Sequence, residues 1–228
     1  MQKKIKINEK TKLLIFTSKN EFISELIKIF NEQFVRYKIT NFLLPGGKTP
    51  IDFYKELSKQ KFDWGKLTFS LTDERLLNKK YHKLSQLNYS NIYNHLLGSI
   101  DNMKKPHFIR LPENEKNYDQ SNLQEFLKRF STFLGVGTDG HIASIFPNDF
   151  DENSKETIFF SSKEHNNYYR VSWTFNSLLK SQAIFIILSG EEKKGIVEEI
   201  MKFKQNSDMP YIKLLKSFTN QVTILWNK

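Results

Sequence analysis

The chain of 228 residues contains no cysteine, only nine glycines and six prolines, and no long hydrophobic run. The absence of cysteine excludes a disulfide framework and thiolate chemistry. The apolar run at residues 13–16 is too short for the core of a signal peptide. The run at residues 183–188 is far too short to cross a bilayer. We therefore expect a soluble, cytoplasmic protein with no membrane partner.

The formal charge of +10 raises the possibility of nucleic-acid binding. Proteins of that class gather lysine and arginine on one face or along one helix. Here the basic residues are spread along the chain among acidic ones, as in Glu-Glu-Lys-Lys at residues 191–194. We therefore expect no nucleic-acid partner, while a local positive potential would suit a small anion.

Short apolar runs alternate with helical patterns along the chain, which is long enough for one substantial core. Strands are predicted at residues 13–16, 39–44, 67–72, 132–134, 157–160, 169–173, 183–188 and 221–226. Helices are predicted at residues 22–34, 50–57, 91–97, 123–129 and 191–203, and residues 101–122 are predicted to be mostly loop. This alternation predicts an α/β fold: a doubly wound, largely parallel, Rossmann-like sheet with helices on both faces, in a single domain of residues 1–228.

Three of the nine glycines lie within residues 135–140, directly after an apolar run, and His141 follows them. Glycine permits close approach of the backbone to a ligand and positive φ angles. Histidine exchanges protons near neutral pH. A loop that presents Asp139 and His141 together is therefore a candidate reaction centre, although a structural turn with a satisfied histidine would share the same pattern.

Residues 135–140 also satisfy the G-x-G-x-x-G pattern of dinucleotide-binding loops. That pattern belongs near the start of a doubly wound unit and leads into a long helix, whereas here it lies past the middle and Pro147 follows. We therefore expect no nicotinamide or flavin cofactor. A nucleotide P-loop ending at Lys48 and Thr49 is also excluded, because its first glycine would fall at Phe42.

The segment Pro-Gly-Gly-Lys-Thr-Pro at residues 45–50 follows a predicted strand. Thr49 would cap a helix and Pro50 would occupy its first position. Free N–H groups from Gly46 and Gly47 onward would form a phosphate cradle, and Lys48 would add a point charge. An ordinary strand-to-helix turn uses the same residues.

Residues 72–75 and 189–193 also follow predicted strands, and ligands of doubly wound sheets bind beyond the carboxyl ends of the strands. Together with residues 45–50 and 134–147, these segments resemble the 6-phosphogluconolactonases of the glucosamine-6-phosphate isomerase/6-phosphogluconolactonase superfamily. Ser90-Asn91, residues 170–174 and residues 190–193 add to the resemblance. The order and spacing fit from about residue 10 to the C-terminus.

The resemblance implies hydrolysis of a sugar-phosphate lactone, with His141 as the base and Asp139 orienting it or contacting a sugar hydroxyl. It implies that Arg75, Arg170 and Lys193 bind the phosphate. Asp73 is expected either to contact the ligand or to brace the segment that carries Arg75. No cofactor or metal is implied, because no cluster of His, Asp and Glu suits one. The quaternary state expected is a monomer or weak homo-oligomer.

Two alternatives remain open. Glucosamine-6-phosphate deaminases of the superfamily share the Asp-Gly-His loop, but they carry a glutamate where this chain reads Ser-Ile-Phe-Pro at residues 144–147. A non-catalytic sugar-phosphate sensor could use the same fold, although such regulators normally carry a DNA-binding segment. Pro45 and Lys48 stand where the lactonases usually have serine, and these differences concern the geometry of phosphate binding more than the class of reaction.

The remaining histidines, predicted as surface or packing residues, are His82, His95, His107 and His165.

Overall fold

The computed structural model of the chain describes residues 2–78, 83–115, 120–203 and 207–228. The helices are α1 (Lys19–Asn31), α2 (Ile51–Ser58), α3 (Asn88–His95), α4 (Gln120–Phe126), α5 (Phe175–Leu178), α6 (Lys194–Lys202) and α7 (Pro210–Ser217). The strands of the larger sheet are β1 (Gln2–Lys6), β2 (Thr11–Phe16), β3 (Asn41–Leu44), β4 (Thr68–Leu71), β6 (His107–Ile109), β7 (Phe130–Gly135), β10 (Ala183–Ser189) and β11 (Gln221–Asn227). A smaller sheet contains β5 (Asp73–Leu76), β8 (Ile158–Phe160) and β9 (Tyr169–Trp173).

The larger sheet has the strand order β1-β2-β11-β10-β7-β3-β4-β6. Every neighbouring pair is parallel except β1 and β2. The chain moves outward from β3 to β4 and β6, then returns to β7 beside β3 and continues through β10 to β11. The winding therefore reverses between β3 and β7, which confirms the predicted doubly wound sheet and locates its switch point.

The central strands are buried along consecutive residues, as a parallel sheet covered on both faces requires. Residues 130–134 of β7 and 183–188 of β10 are all buried. Phenylalanines from α1 and three strands stack at the middle of the core, with ring centroids of Phe30 and Phe42 4.4 Å apart. The three tryptophans, Trp64, Trp173 and Trp226, are buried in this core.

The smaller sheet is antiparallel, with the order β5-β9-β8. Trp173 joins it to the larger sheet, because its indole Nε1 donates to the carbonyl of Leu71 at 2.7 Å and its backbone N–H donates to that of Thr72 at 3.2 Å. The sequence predicted strands over residues 157–160 and 169–173 but not their separate sheet. This attachment places β5 and β9 beside the carboxyl end of β4.

Several predicted elements need correction. Residues 101–122, predicted as mostly loop, also contain β6 and the start of α4, and residues 116–119 lie outside the described part. The residues after Thr72 form β5 rather than a loop, because β9 supplies a pairing partner. Helix α2 begins at Ile51, with Pro50 as its N-cap and no side-chain cap from Thr49. Strand β1 and helix α7 were not predicted, although Pro210 and the apolar residues after it carry a helix signal.

Candidate functional site

A cavity of about 270 Å³ lies at the switch point of the larger sheet. The strands β10, β7, β3 and β4 are neighbours there, so the loops after their carboxyl ends meet. The cavity is lined by these loops, β5, β9 and the turn before β9. The predicted site residues on its wall are Gly46, Gly47, Thr49, Asp73, Arg75, His141, Arg170 and Lys193.

The imidazole of His141 is oriented by Asp139, two residues before it. His141 Nδ1 lies 2.5 Å from Asp139 Oδ1, and the backbone N–H of His141 donates to the same oxygen at 3.3 Å. Burial raises the pKa of Asp139, but the charge and hydrogen bonds of His141 outweigh this and leave the pKa below its ordinary value. Asp139 is itself exposed behind the ring, so it supports His141 rather than lining the cavity. Nε2 is the nitrogen left for proton transfer.

Glycine is required at residue 137 because the imidazole of His141 covers its α-carbon. A β-carbon there would lie 2.2 Å from ring atoms of His141 and 2.5 Å from Asp139 Oδ1. The N–H of Gly137 donates to the carbonyl of His141 at 2.8 Å, and the N–H of Gly140 donates to that of Gly137 at 3.0 Å. The glycine loop is therefore closed on itself, and these two N–H groups are not available to a ligand.

The loop after β3 is held by the side chains of two asparagines of α3. A β-carbon on Gly46 would lie 2.2 Å from the amide group of Asn88, and Asn91 Nδ2 donates to the carbonyl of Gly47. Gly47 has φ of +78°. Lys48 is exposed and does not line the cavity, and its contact with phosphate stays a prediction.

Two arginines face each other across the smaller sheet. Arg75 of β5 and Arg170 of β9 are direct partners in an antiparallel register, which places both side chains on one face of the sheet. Both guanidinium groups lie by the ring of Tyr168, with their Cζ atoms 5.1 and 5.6 Å from its centroid. Like charges directly opposite destabilise a strand pair. Two arginines held together at a cavity are therefore best explained by an anionic ligand.

Their hydrogen bonds leave part of each guanidinium unused. Arg75 Nη1 donates to the carbonyl of Gln86 at 2.6 Å, and Arg170 Nη2 donates to the carbonyl of His165 at 3.2 Å. Nε of each arginine is buried and has no partner among the described residues. Burial lowers the pKa of Arg170, which the nearby Asp73 partly offsets. An arginine keeps its charge even so.

Asp73 is fixed by residues from three segments. Its carboxylate accepts hydrogen bonds from Ser144 Oγ at 2.6 Å and from Thr72 Oγ1 at 3.2 Å, and it lies 3.7 Å from Arg170 Nη1. It is 6% exposed and reaches the cavity wall. Asp73 therefore links the glycine loop to the arginine pair, and it supports Arg170 as well as bordering the ligand space.

Glu74 points to the opposite face of the smaller sheet and anchors α3, a role the sequence analysis missed. Its carboxylate accepts hydrogen bonds from the backbone N–H groups of Arg75, Asn88 and Tyr89 at 2.7–2.8 Å. Burial raises the pKa of Glu74, and these donors counter it only in part. The carboxylate stabilises the N-terminus of α3. It thereby places the asparagines that hold the loop after β3.

Lys193 enters the cavity from the N-terminal end of α6. Its side chain is buried, and Nζ donates to the carbonyl of Val136 at 2.8 Å. Burial lowers the pKa of Lys193, while Glu192 and Asp139 act in the opposite direction. A buried cation at the start of a helix is unfavourable unless an anion lies nearby. Lys193 lines the cavity beside the glycine loop, where an anionic ligand would meet that condition.

The other histidines fall into two groups. His95 and His107 lie away from the cavity as predicted, and His82 is outside the described residues. His165 is a packing residue as predicted, but it has an acidic partner: Nε2 lies 2.6 Å from Asp149 Oδ2. Asn166, which follows it, lines the cavity and was not predicted. Its φ of 53° marks the tight turn in which it lies.

A second cavity of about 670 Å³ shares Arg75 with the first, but aliphatic side chains make up much of its wall and His141 is absent from it. Its size does not make it the candidate reaction site, because His141 lines the smaller cavity. Over the described ranges, no cluster of three His, Asp or Glu could hold a metal ion. Nor does any helix in the described part have the length and apolarity needed to cross a membrane.

Comparisons with known proteins identify the family of this chain. A family described as glucosamine-6-phosphate isomerases/6-phosphogluconolactonase matches residues 17–225. The 6-phosphogluconolactonase of Thermotoga maritima is 31% identical over 191 residues, which cover 80% of this chain and 84% of the relative. That of Helicobacter pylori strain 26695 is 29% identical over 197 residues, covering 83% and 85%.

Solved structures share the fold. The crystal structure of 6-phosphogluconolactonase from Thermotoga maritima aligns with a TM-score of 0.74 and 22% identity, covering 96% of this chain and 100% of that one. A monomeric glucosamine-6-phosphate deaminase aligns with a TM-score of 0.75 and 14% identity, covering 95% and 97%. The family match extends over nearly the whole chain and includes every element that borders the cavity. The chain belongs to the glucosamine-6-phosphate isomerase/6-phosphogluconolactonase family.

Proposed function

We propose that this protein hydrolyses 6-phospho-D-glucono-1,5-lactone to 6-phosphogluconate. The observation that carries the proposal is the cavity that joins an oriented imidazole, His141, to a pair of facing arginines, Arg75 and Arg170. An anion-binding wall opposite a base suits a phosphorylated substrate whose reaction begins with activation of water. Relatives named 6-phosphogluconolactonase match over four-fifths of the chain and support the substrate.

The substrate's phosphate would lie over Gly46, Gly47 and Thr49 and be neutralised by Arg75, Arg170 and Lys193. Arginine donates to phosphate through a planar fork, while lysine acts as a point charge. All six residues border the same cavity. In this arrangement Asp73 keeps Arg170 in place, and Lys48 has no direct part.

His141 Nε2 would take a proton from water as the water oxygen attacks the lactone carbonyl. Asp139 retains the proton on Nδ1 and stabilises the imidazolium that forms. The negative charge that develops on the carbonyl oxygen needs a donor. Gly137 and Gly140 donate within the loop, so their N–H groups are not available for this role. The carbon–ring-oxygen bond then breaks, and the imidazolium returns its proton to the departing oxygen.

This chain has no carboxylate at residues 144–147, where the isomerases carry a glutamate, and this disfavours the deaminase alternative. Ser144 donates to Asp73, Ile145 is fully buried, and Phe146 packs against His141. A curated glucosamine-6-phosphate deaminase of Clostridium novyi is nevertheless 27% identical over 245 residues, so this activity is the necessary comparison. Lactone hydrolysis requires only a base, a water molecule and an anchored phosphate.

The proposal is tested with purified wild-type protein in three assays. Hydrolysis of 6-phosphogluconolactone is followed against its spontaneous rate, ammonia release from glucosamine 6-phosphate is followed in parallel, and binding of 6-phosphogluconate is titrated. We expect accelerated lactone hydrolysis without ammonia release. Binding of 6-phosphogluconate without acceleration would replace the proposal with the sensor, and ammonia release would replace it with the deaminase.

A further inference from the structure

The ring of Phe146 lies between two imidazoles. On one side is His141, with ring centroids 4.6 Å apart and planes inclined by 33°. On the other side is His165, with centroids 3.6 Å apart and planes inclined by only 4°. Phe146 itself is 5% exposed, so it has little freedom to move. The orientation of His141 is therefore limited by a ring stack whose outer member is His165.

His165 is also tied to the turn that follows the glycine loop. Its Nε2 lies 2.6 Å from Asp149 Oδ2, and Lys163 Nζ lies 3.4 Å from the same oxygen. Asp149 in turn donates its backbone N–H to the carbonyl of Phe146 at 3.2 Å. The side chain of His165 is 15% exposed and that of Asp149 is 25% exposed. The hydrogen bond between them is sheltered enough to restrain both turns.

The backbone of His165 reaches the arginines. Its carbonyl accepts from Arg170 Nη2 at 3.2 Å and from the N–H of Tyr168 at 3.2 Å. This closes a tight turn in which Asn166 and Asn167 have φ angles of 53° and 66°. The turn carries Asn166 to the cavity and Tyr168 to both guanidinium groups. Any shift of this turn would therefore move the groups that face the anion.

We propose that His165 is a positioning residue that acts on both sides of the site. Its ring, through Phe146, fixes the orientation of His141, and its hydrogen bond to Asp149 fixes the turn that holds Arg170 and Asn166. The inference deepens the proposed function and rests on it for the identity of the substrate. The two contacts use different properties of one side chain, an aromatic face and a ring nitrogen, so they can be separated by substitution.

His165→Gln retains a donor for Asp149 but removes the stacked ring, whereas His165→Phe retains the ring and removes the hydrogen bond. We expect His165→Gln to lower kcat about tenfold with little change in KM, because small displacements of a catalytic group are costly. We expect His165→Phe to raise KM and the Kd for 6-phosphogluconate about tenfold with little change in kcat, because the turn at Arg170 loosens. Asp149→Ala breaks the same hydrogen bond and should behave like His165→Phe.

The matched control is His107→Ala, which removes an exposed histidine from the edge strand β6. Thermal unfolding shows whether each variant folds. If His165→Phe does not fold, Asp149→Ala is used in its place. A purely structural His165 would lower the melting temperature and change kcat and KM together. The proposal is overturned by that result, or by His165 variants that are indistinguishable from His107→Ala.

Two further measurements do not depend on turnover. The Kd for 6-phosphogluconate reports the arginine side, and long-range proton–nitrogen NMR spectra report the tautomer and environment of the His141 ring. If the wild-type protein does not hydrolyse the lactone, the proposed function fails while these two readouts still decide the positioning role. We then expect His165→Gln to shift the His141 signals and His165→Phe to weaken binding; unchanged signals and binding would reject the inference.

Discussion

The two sides of the cavity are built in opposite ways. The histidine side, formed by Asp139 and His141 on their glycine loop, depends on contacts between residues two to four positions apart. The arginine side is brought together by pairs about 70 to 100 positions apart, the hydrogen bond from Ser144 to Asp73 and the register of Arg75 with Arg170. The imidazole of His141 is partly exposed, whereas Asp73 and Arg170 are buried. The proposed base therefore lies on a short local loop, and the proposed anion-binding groups lie on a framework of long-range pairs.

The largest effect should come from removing the base. We expect His141→Ala to lower kcat for lactone hydrolysis by about 10²–10⁴, the usual contribution of a general base. The Kd for 6-phosphogluconate should change little, because the arginine side remains intact. Steady-state kinetics and calorimetric titration measure the two quantities. Loss of binding equal to the loss of rate would show that the two sides are not separable.

Gly137→Ala tests whether the local loop must leave space for the imidazole. The added β-carbon would lie 2.2 Å from the ring of His141, so either the ring or the loop must move. We expect kcat to fall by about 10²-fold, which is typical of a displacement near 1 Å. The control is Gly65→Ala, where nothing lies within 4 Å of the new atom. Equal rates for the two variants would contradict the packing of His141 against Gly137.

Arg75→Met tests the long-range side. A lost charge-assisted hydrogen bond is worth about 1.5–3 kcal/mol, so we expect KM and the Kd for 6-phosphogluconate to rise about 10- to 100-fold. The free energy of unfolding should change by less than about 1 kcal/mol, because relief of the repulsion from Arg170 offsets the lost bond to Gln86. Arg36→Met, at an exposed arginine on the other side of the fold, is the control. A stable variant with unchanged affinity would remove Arg75 from the phosphate site.

The smallest effect on rate, with a distinct effect on stability, is expected at Glu74. Because burial raises the pKa of Glu74 above its ordinary value of 4.5, the folded state binds more protons than the unfolded state just above that pH. This carboxyl group therefore makes the free energy of unfolding fall as pH rises through that window. Glu74→Gln should remove this part of the pH dependence, and it should cost about 1–3 kcal/mol at neutral pH by leaving a backbone donor unpaired.

Urea unfolding between pH 4 and pH 8 (roughly the range over which carboxyl groups and histidines titrate) measures the slope. Glu125→Gln, at an exposed glutamate, should retain the slope of the wild-type protein. A Glu74→Gln variant with the wild-type slope would mean that another group is responsible.

The same contrast explains which site residues could be predicted. Asp139 and His141 were identified from a single loop because their chemistry and their packing both lie within seven residues. Lys48 stays a prediction: a lysine beside two glycines suggests phosphate binding, while contacts of the loop with Asn88 and Asn91 accompany a conformation in which Lys48 is exposed. The roles of Glu74 and Asn166 were missed, and His165 was predicted only as a surface or packing residue, because their contacts depend on how separate segments pack together and no local spacing reports such contacts.

The sequence by itself determined the alternation of strands and helices, the doubly wound class of the sheet and the placement of Asp139 beside His141 in one glycine loop. Hydrophobic periodicity and glycine placement act over a few residues, so they can be read directly. Only the tertiary structure decided that β5 and β9 form a separate sheet, that Arg75 and Arg170 face each other, and that His165 stacks behind His141. Those relations depend on which distant strands pair and in what register, and the free energy that selects them comes from burial of the whole core.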